Sequence, residues 1–220
     1  MSTNKRISSE KIRELFRFLS EKTRGSPETM VTRIIERYGQ DPYLILISCL
    51  ISLRARDIVT YDIVMSLFKR AQTPKELLAI PLHELEEIIR SSGFYHQKTR
   101  TLRSVSQALL DRFDGVVPDT RNELESIKGI GPKTANLVLS EAFDIPAICV
   151  DTHVHRIANH LGLVHTETPE ETEKALKEII PKNLWLQVNE LFVKWGQNIC
   201  TPYDNSCECP RNMVLNTKSS

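Results

Sequence analysis

The chain of 220 residues is 40% hydrophobic and 26% charged, ordinary globular composition with enough apolar material for one large domain or two small lobes. A formal net charge of +1 excludes a polybasic nucleic-acid coat, so any surface for a polyanion must be local. Met1 to Phe16 is polar and charged, and the longest apolar run, Tyr43 to Ile51, is far short of the roughly 20 residues a membrane helix needs. The expectation is a soluble intracellular protein without a membrane partner, in cytoplasm or nucleoid, or in a nucleus if the cell has one. No dense Lys/Arg run marks nuclear targeting.

Helical periodicity dominates. Ile12, Leu15, Phe16 and Leu19 mark a first amphipathic helix, and Tyr43 to Leu53 is apolar on nearly all sides, as a buried central helix would be. Thr60 to Phe68 follows, then Pro74 to Leu78 with Thr73 placed as its N-cap. Leu82 to Ser91 is closed by Gly93, and Lys98 to Phe113 is stopped by Asp114-Gly115 and Pro118. Asn122 to Ile127 and Pro132 to Ala142 flank a short glycine turn. Asp151 to Leu161, Pro169 to Ile179 and Leu184 to Trp195 complete some ten helices. No strand alternation and no fixed repeat is visible, so the predicted class is all-α and a solenoid is disfavoured. Trp185 and Trp195 are expected as core anchors of the last helices, and the tail after Pro210 as poorly ordered.

The most informative stretch is Leu124 to Leu139, LESIKGIGPKTANLVL. Gly129-x-Gly131 joins a short helix to a longer one, and glycine permits positive φ and close backbone approach. The second helix starts at Pro132, leaving its first amides unpaired at the positive end of the dipole. Such a turn is a sequence-blind phosphate site, with Lys128, Gly129, Ile130, Gly131 and Thr134 as its candidates. A plain helix–glycine–helix turn is the simpler reading. The flanking pattern of Ile127, Ile130, Ala135 and Val138 favours a helix–hairpin–helix. Lys133 lies in the first turn of the second helix. The helix N-terminus and partial burial both depress a lysine pKa, which suits a Schiff-base nucleophile; a phosphate-contacting lysine is the alternative. Asp151 follows the apolar segment Ile145 to Val150 and opens Asp151-Thr-His-Val-His-Arg-Ile157. It is placed to cap a helix, and the same rigid carboxylate could support a cationic sugar transition state.

GIGPKTAN followed by VDTHVHRIANHLGL resembles the endonuclease III branch of the helix–hairpin–helix base-excision glycosylases, and the likeness runs from about Asp41 to Cys209, taking in Gly93 to Lys98. The resemblance implies a six-helix lobe over residues 35–145. A second lobe would be made of 1–34 and 146–220, with damaged duplex DNA bound between the two by a monomer. It implies that Lys133 attacks C1′ of a flipped damaged nucleotide, that Asp151 supports the developing charge, and that β-elimination from the Schiff base nicks the strand. Relatives that only release the base lack a lysine at this position. A polar residue after the central buried helix, often glutamine, fills the hole left by the flipped base; Arg54 occupies that place here, which leaves the opposite-base preference open. Arg56 reads as a solvated charge. Lys98, Arg100 and Arg103 are candidates for a local basic face, with a plain charged helix surface as the alternative. His153 is read as a structural or DNA-proximal residue near Asp151, and His155 as a surface one.

Oxidised pyrimidines are the expected lesions. A uracil or thymine mismatch glycosylase of the same fold is the near alternative. A non-catalytic DNA-binding hairpin is the distant one, disfavoured because it has no use for both Lys133 and Asp151.

Relatives in this branch end in a four-cysteine iron–sulfur loop, C-x6-C-x2-C-x5-C. Of the five cysteines here, Cys49 and Cys149 sit in apolar stretches as small hydrophobes, and the odd count argues against a disulfide framework. Cys200 and Cys207 keep the first interval, Cys209 comes one residue early, and Arg211 to Ser220 holds no fourth. The metal candidates Cys200, Cys207 and Cys209 are therefore one ligand short. The expectation is that no intact 4Fe-4S cluster forms and that the chemistry needs no cofactor. An incomplete or labile cluster is the runner-up, and a three-thiolate zinc completed by His or water stays conceivable, although no histidine lies beyond His165.

Overall fold

The computed structural model describes residues 7–55, 57–202 and 209–214, without the side chains of residues 57, 58, 212 and 214. Arg56 and Cys207 lie outside the described residues. The described residues are helical throughout, with no strand among them: α1 (Ser9–Lys22), α2 (Met30–Tyr38), α3 (Pro42–Ser52), α4 (Asp57–Phe68), α5 (Pro74–Ala79), α6 (Leu82–Ile89), α7 (Tyr95–Phe113), α8 (Arg121–Glu125), α9 (Pro132–Phe143), α10 (Thr152–His160), α11 (Pro169–Ile179), α12 (Trp185–Asn198) and α13 (Arg211–Val214). None of the described helices is long and apolar enough to cross a membrane.

The chain divides into two compact units, Thr29–Ile145 and Met1–Glu28 with Pro146–Ser220. Within Thr29–Ile145, α3 is the centre. Asp41 caps it through Leu44 N–H, Pro42 starts it, and every residue from Tyr43 to Ile51 is buried. α9 packs on it, as do α2, α4 and α7. The Tyr43 hydroxyl pairs with Ser106 Oγ at 2.8 Å, so this buried phenol meets a partner, and burial pushes its pKa upward. α5 carries the full capping box between Thr73 and Glu76.

Within the other unit, α1 buries Ile12, Leu15, Phe16 and Leu19 against α12, and Phe16 meets Phe192 at 5.9 Å between ring centroids. α10 and α12 pack together, and α11 covers α10 after a second capping box at Thr168 and Glu171. Trp195 is buried, and Trp185 packs on the core with its Nε1 donating to the Ile180 carbonyl. Lys194 is buried and ion-paired to Glu28 and Glu190; desolvation would lower its pKa, but the two carboxylates outweigh this and raise it.

α2 goes beyond the predicted elements. Thr29 caps it through Thr32 N–H, and Met30, Val31 and Ile34 bury one short face. Of the tail expected to be poorly ordered after Pro210, Arg211–Val214 forms α13, started by the Met213 N–H to Pro210 carbonyl bond, and residues 215–220 lie outside the described residues. His155, expected at the surface, is half-buried: its Nδ1 lies 2.7 Å from Thr172 Oγ1, in a network that continues through Thr166 to Asn159. That network fixes the turn between α10 and α11, so the ring is structural.

Candidate active site and nucleic-acid interface

The glycine turn between α8 and α9 forms as the apolar pattern demands, with Ile127, Ile130, Ala135 and Val138 all buried. Its two glycines have different reasons to be glycine. Gly129 has φ +108, and a Cβ there would lie 2.7 Å from Thr101 Cγ2 of α7, so any other residue is strained and displaces Thr101. Gly131 has φ −98 and ψ 176, ordinary extended backbone, with open space where a Cβ would be. The positive φ expected of the pair therefore belongs to Gly129 only, and Gly131 leaves room for a ligand to reach the backbone.

Gly131 is the N-cap of α9 and makes no side-chain cap, whereas Asp41, Thr73, Thr120, Asp151 and Thr168 cap their helices. With Pro132 at the first position, the N–H groups of Lys133 and Thr134 point out of the helix end without an intrahelical acceptor. Lys128, Gly129, Gly131 and Lys133 are exposed at this end. Ile130 and Thr134 are buried, so of the predicted phosphate contacts these two have only backbone to offer. Lys133 is also more open than expected: it is exposed, without partial burial.

Asp151 is the N-cap of α10, with Oδ1 accepting from Val154 N–H at 2.8 Å. One carboxylate oxygen is thus fixed by the helix, and the half-buried side chain is held rigid. His153, two residues on, packs its ring against Gly196 of α12, where a Cβ would come within 3.0 Å of Nδ1. That nitrogen is buried without a hydrogen-bond partner.

Arg54 follows α3 in a left-handed conformation, φ 57, and Phe94 precedes α7 in another, φ 49. Both are rare for residues with a side chain. Phe94 is 66% exposed, and the Arg54 guanidinium lies 5.8 Å from its ring centroid. These two residues, together with Leu50, Leu53, Gln97, Lys98, Thr101 and Gly129, line a recess of about 410 Å³. The predicted Arg54 and the hairpin glycine thus share one surface. The sequence reading missed Phe94; the available signal was a large aromatic directly after Gly93, outside the apolar period of α7.

Lys98 belongs to a different role from the basic face suggested for it. It is buried, and its Nζ donates to the carbonyls of Ile51 and Ser92, both at 2.7 Å. It braces the end of α3 leading to Arg54 and the turn leading to Phe94. Burial pulls its pKa down to about 8. Arg103 likewise caps α5 by donating to the Leu78 and Ile80 carbonyls, and Arg100 remains exposed.

At the C-terminal end of the other unit the fold gathers residues far apart in sequence. His160 Nδ1 ends α10 and lies 3.5 Å from Cys200 Sγ just beyond α12; with Cys209 Sγ the three donor atoms all lie within 4.8 Å of one another. Arg156 Nη1 is 3.4 Å from the Cys200 sulfur, and Arg211 Nε donates to the His160 carbonyl. Desolvation, then Arg156 and Arg211, lower the His160 pKa. Cys49 and Cys149 are buried elsewhere, as expected.

Comparison with known proteins agrees with this geometry. Residues 47–182 match the family described as HhH-GPD superfamily base excision DNA repair protein. The chain is 42% identical to Endonuclease III of Thermotoga maritima over 82% of its own length and 87% of that protein. It is 34% identical to Endonuclease III of Bacillus subtilis over 80% and 81%. The structure matches that of a non-covalent Endonuclease III–DNA complex with a TM-score of 0.82 at 32% identity, covering 96% of each chain. A thermostable thymine-DNA glycosylase, at TM-score 0.78 and 20% identity, shares the fold. The chain belongs to the HhH-GPD superfamily of base excision DNA repair proteins, among the relatives of Endonuclease III.

Proposed function

We propose that the protein removes oxidised pyrimidines from duplex DNA and then cuts the strand, with Lys133 as nucleophile and Asp151 as the supporting carboxylate. The observation that carries this reading is an exposed lysine in the first turn of an uncapped helix, directly after the Gly129–Gly131 turn. The amides of Lys133 and Thr134 hold a phosphate at the positive end of α9, and Gly131 gives it room. Arg54 and Phe94 fill the gap left when the damaged nucleotide leaves the stack, and offset part of the unstacking cost of a few kcal/mol. The Lys133 amine attacks C1′; the glycosidic bond breaks, and the base departs with its electrons and is protonated. The free oxygen of Asp151 stabilises positive charge on the sugar. The nitrogen lone pair then breaks the C1′–O4′ bond, O4′ takes a proton from solvent, and the protonated Schiff base results; removal of a C2′ proton expels the 3′ phosphate as its anion. No metal enters these steps. The C-terminal cysteines, one thiolate short, do not carry a four-iron cluster in this reading.

Borohydride trapping on duplexes bearing thymine glycol, uracil or an abasic site tests the reading. A covalent adduct forming faster on thymine glycol than on uracil is the expected result. Base release without any adduct would overturn the lysine mechanism, and preference for uracil would favour a mismatch enzyme of the same fold.

A further inference from the structure

A four-iron cluster asks for four thiolates at one place. Among the described residues the donor set at the C-terminal end of α12 is different: a buried Cys200, a half-buried Cys209, and an imidazole, His160; Cys207 lies outside the described residues. The family's cluster does not fit this set. We infer that His160, Cys200 and Cys209 form a mononuclear site for zinc, a thiophilic ion that accepts mixed sulfur and nitrogen ligands.

The geometry supports a tetrahedral ion. With Zn–S near 2.3 Å and Zn–N near 2.05 Å, two ligand atoms at the tetrahedral angle stand about 3.6 Å apart for S and N, and about 3.8 Å for S and S. His160 Nδ1 and Cys200 Sγ are already 3.5 Å apart, and no pair in the trio exceeds 4.8 Å, so closure onto an ion needs shifts of an ångström or less. Two neutral-or-anionic sulfurs and one imidazole would leave a fourth position for a further donor, as zinc permits. The ligands are also held from outside. Arg156 reaches both the Cys200 sulfur and the Gly196 carbonyl, and Arg211 binds the His160 carbonyl. The three ligands come from the end of α10, the second residue after α12 and the segment leading into α13, so the ion would tie the last described helix to its unit. This inference concerns stability and does not depend on the catalytic reading.

The test is metal analysis of the full chain purified with and without air, followed by cobalt titration and X-ray absorption at the zinc edge. About one zinc per chain, a cobalt spectrum of tetrahedral d–d bands with thiolate charge transfer, and separate S and N shells near 2.3 and 2.0 Å are expected. His160→Gln should weaken zinc binding by about tenfold or more and remove the nitrogen shell. Cys200→Ser should abolish binding; because Cys200 is buried and that variant could misfold, the His160→Gln result and the wild-type cobalt spectrum carry the decision. Four irons with labile sulfide, an all-sulfur zinc shell, a Cys200–Cys209 disulfide, unchanged zinc in His160→Gln, or no bound metal would each overturn the inference.

Discussion

Replacing Gly129 with alanine separates the two jobs of the hairpin. Its φ of +108 is costly for any residue with a Cβ, about 1–2 kcal/mol. The new Cβ would stand 2.7 Å from Thr101 Cγ2, and Thr101 must then leave its rotamer, at about 0.5–1.5 kcal/mol. The narrower unfolded ensemble of alanine returns about 0.4–1 kcal/mol, leaving a net loss of about 0.5–3 kcal/mol. Thr101→Ser removes the offending methyl while keeping the hydroxyl that donates to the Gln97 carbonyl, so the double variant should recover about 1 kcal/mol and no more. Urea unfolding of the four proteins measures both quantities. A neutral Gly129→Ala, or one whose cost ignores Thr101, would mean that neither the positive φ nor the Thr101 contact constrains this turn. Gly131→Ala is the contrast: with φ −98 and open space, its stability should stay within about 0.5 kcal/mol. Its affinity for DNA of every sequence should nevertheless fall together, since phosphate rather than base is crowded.

Asp151→Asn keeps an acceptor for Val154 N–H, so stability should hold within about 0.5 kcal/mol while base release collapses; Asp151→Ala should also lose about 1 kcal/mol of folding. Unfolding curves beside single-turnover release check both, and an Asn variant at wild-type rate would remove Asp151 from the chemistry. For Lys98, the folded pKa of about 8 lies below the unfolded value of 10.5, so the charged buried amine costs stability in full below pH 8. That cost fades as pH rises from 8 to 10.5, because the unfolded chain holds the proton longer. Relative to Lys98→Met, wild type should therefore gain up to about 3 kcal/mol across that window in urea titrations; a parallel pH profile would show that the amine carries no burial penalty. Phe94→Ala should barely alter stability, since the ring is exposed, but should slow excision from paired duplex far more than cleavage of a single-stranded abasic site. Equal losses on both substrates would remove Phe94 from base flipping.

Much of the architecture was legible because long apolar periods and caps agree. The four apolar residues of α1, the all-buried α3, the Thr73 cap and the span of α11 came out as read. α2 escaped because nine residues with three buried positions carry little periodicity. The hairpin was legible as a motif, but the distinct reasons for Gly129 and Gly131 depend on α7, 28 residues earlier for Thr101, and no local pattern reports that contact. Lys98 and Arg103 looked like surface charges because a sequence shows charge without showing which carbonyls it meets. His160 stayed invisible as a metal donor for the same reason: forty residues separate it from Cys200, and only the packing of α10 on α12 brings them together.

The proposed reaction rests on one particular amine, that of Lys133. Reduced adducts from a thymine glycol duplex, digested and mapped by peptide mass spectrometry, test it most directly. The sugar remnant is expected on the peptide containing Lys133, with Lys133→Gln still binding the duplex and giving no adduct. A remnant on Lys98, Lys128 or any other amine, or an undiminished yield from Lys133→Gln, would contradict it.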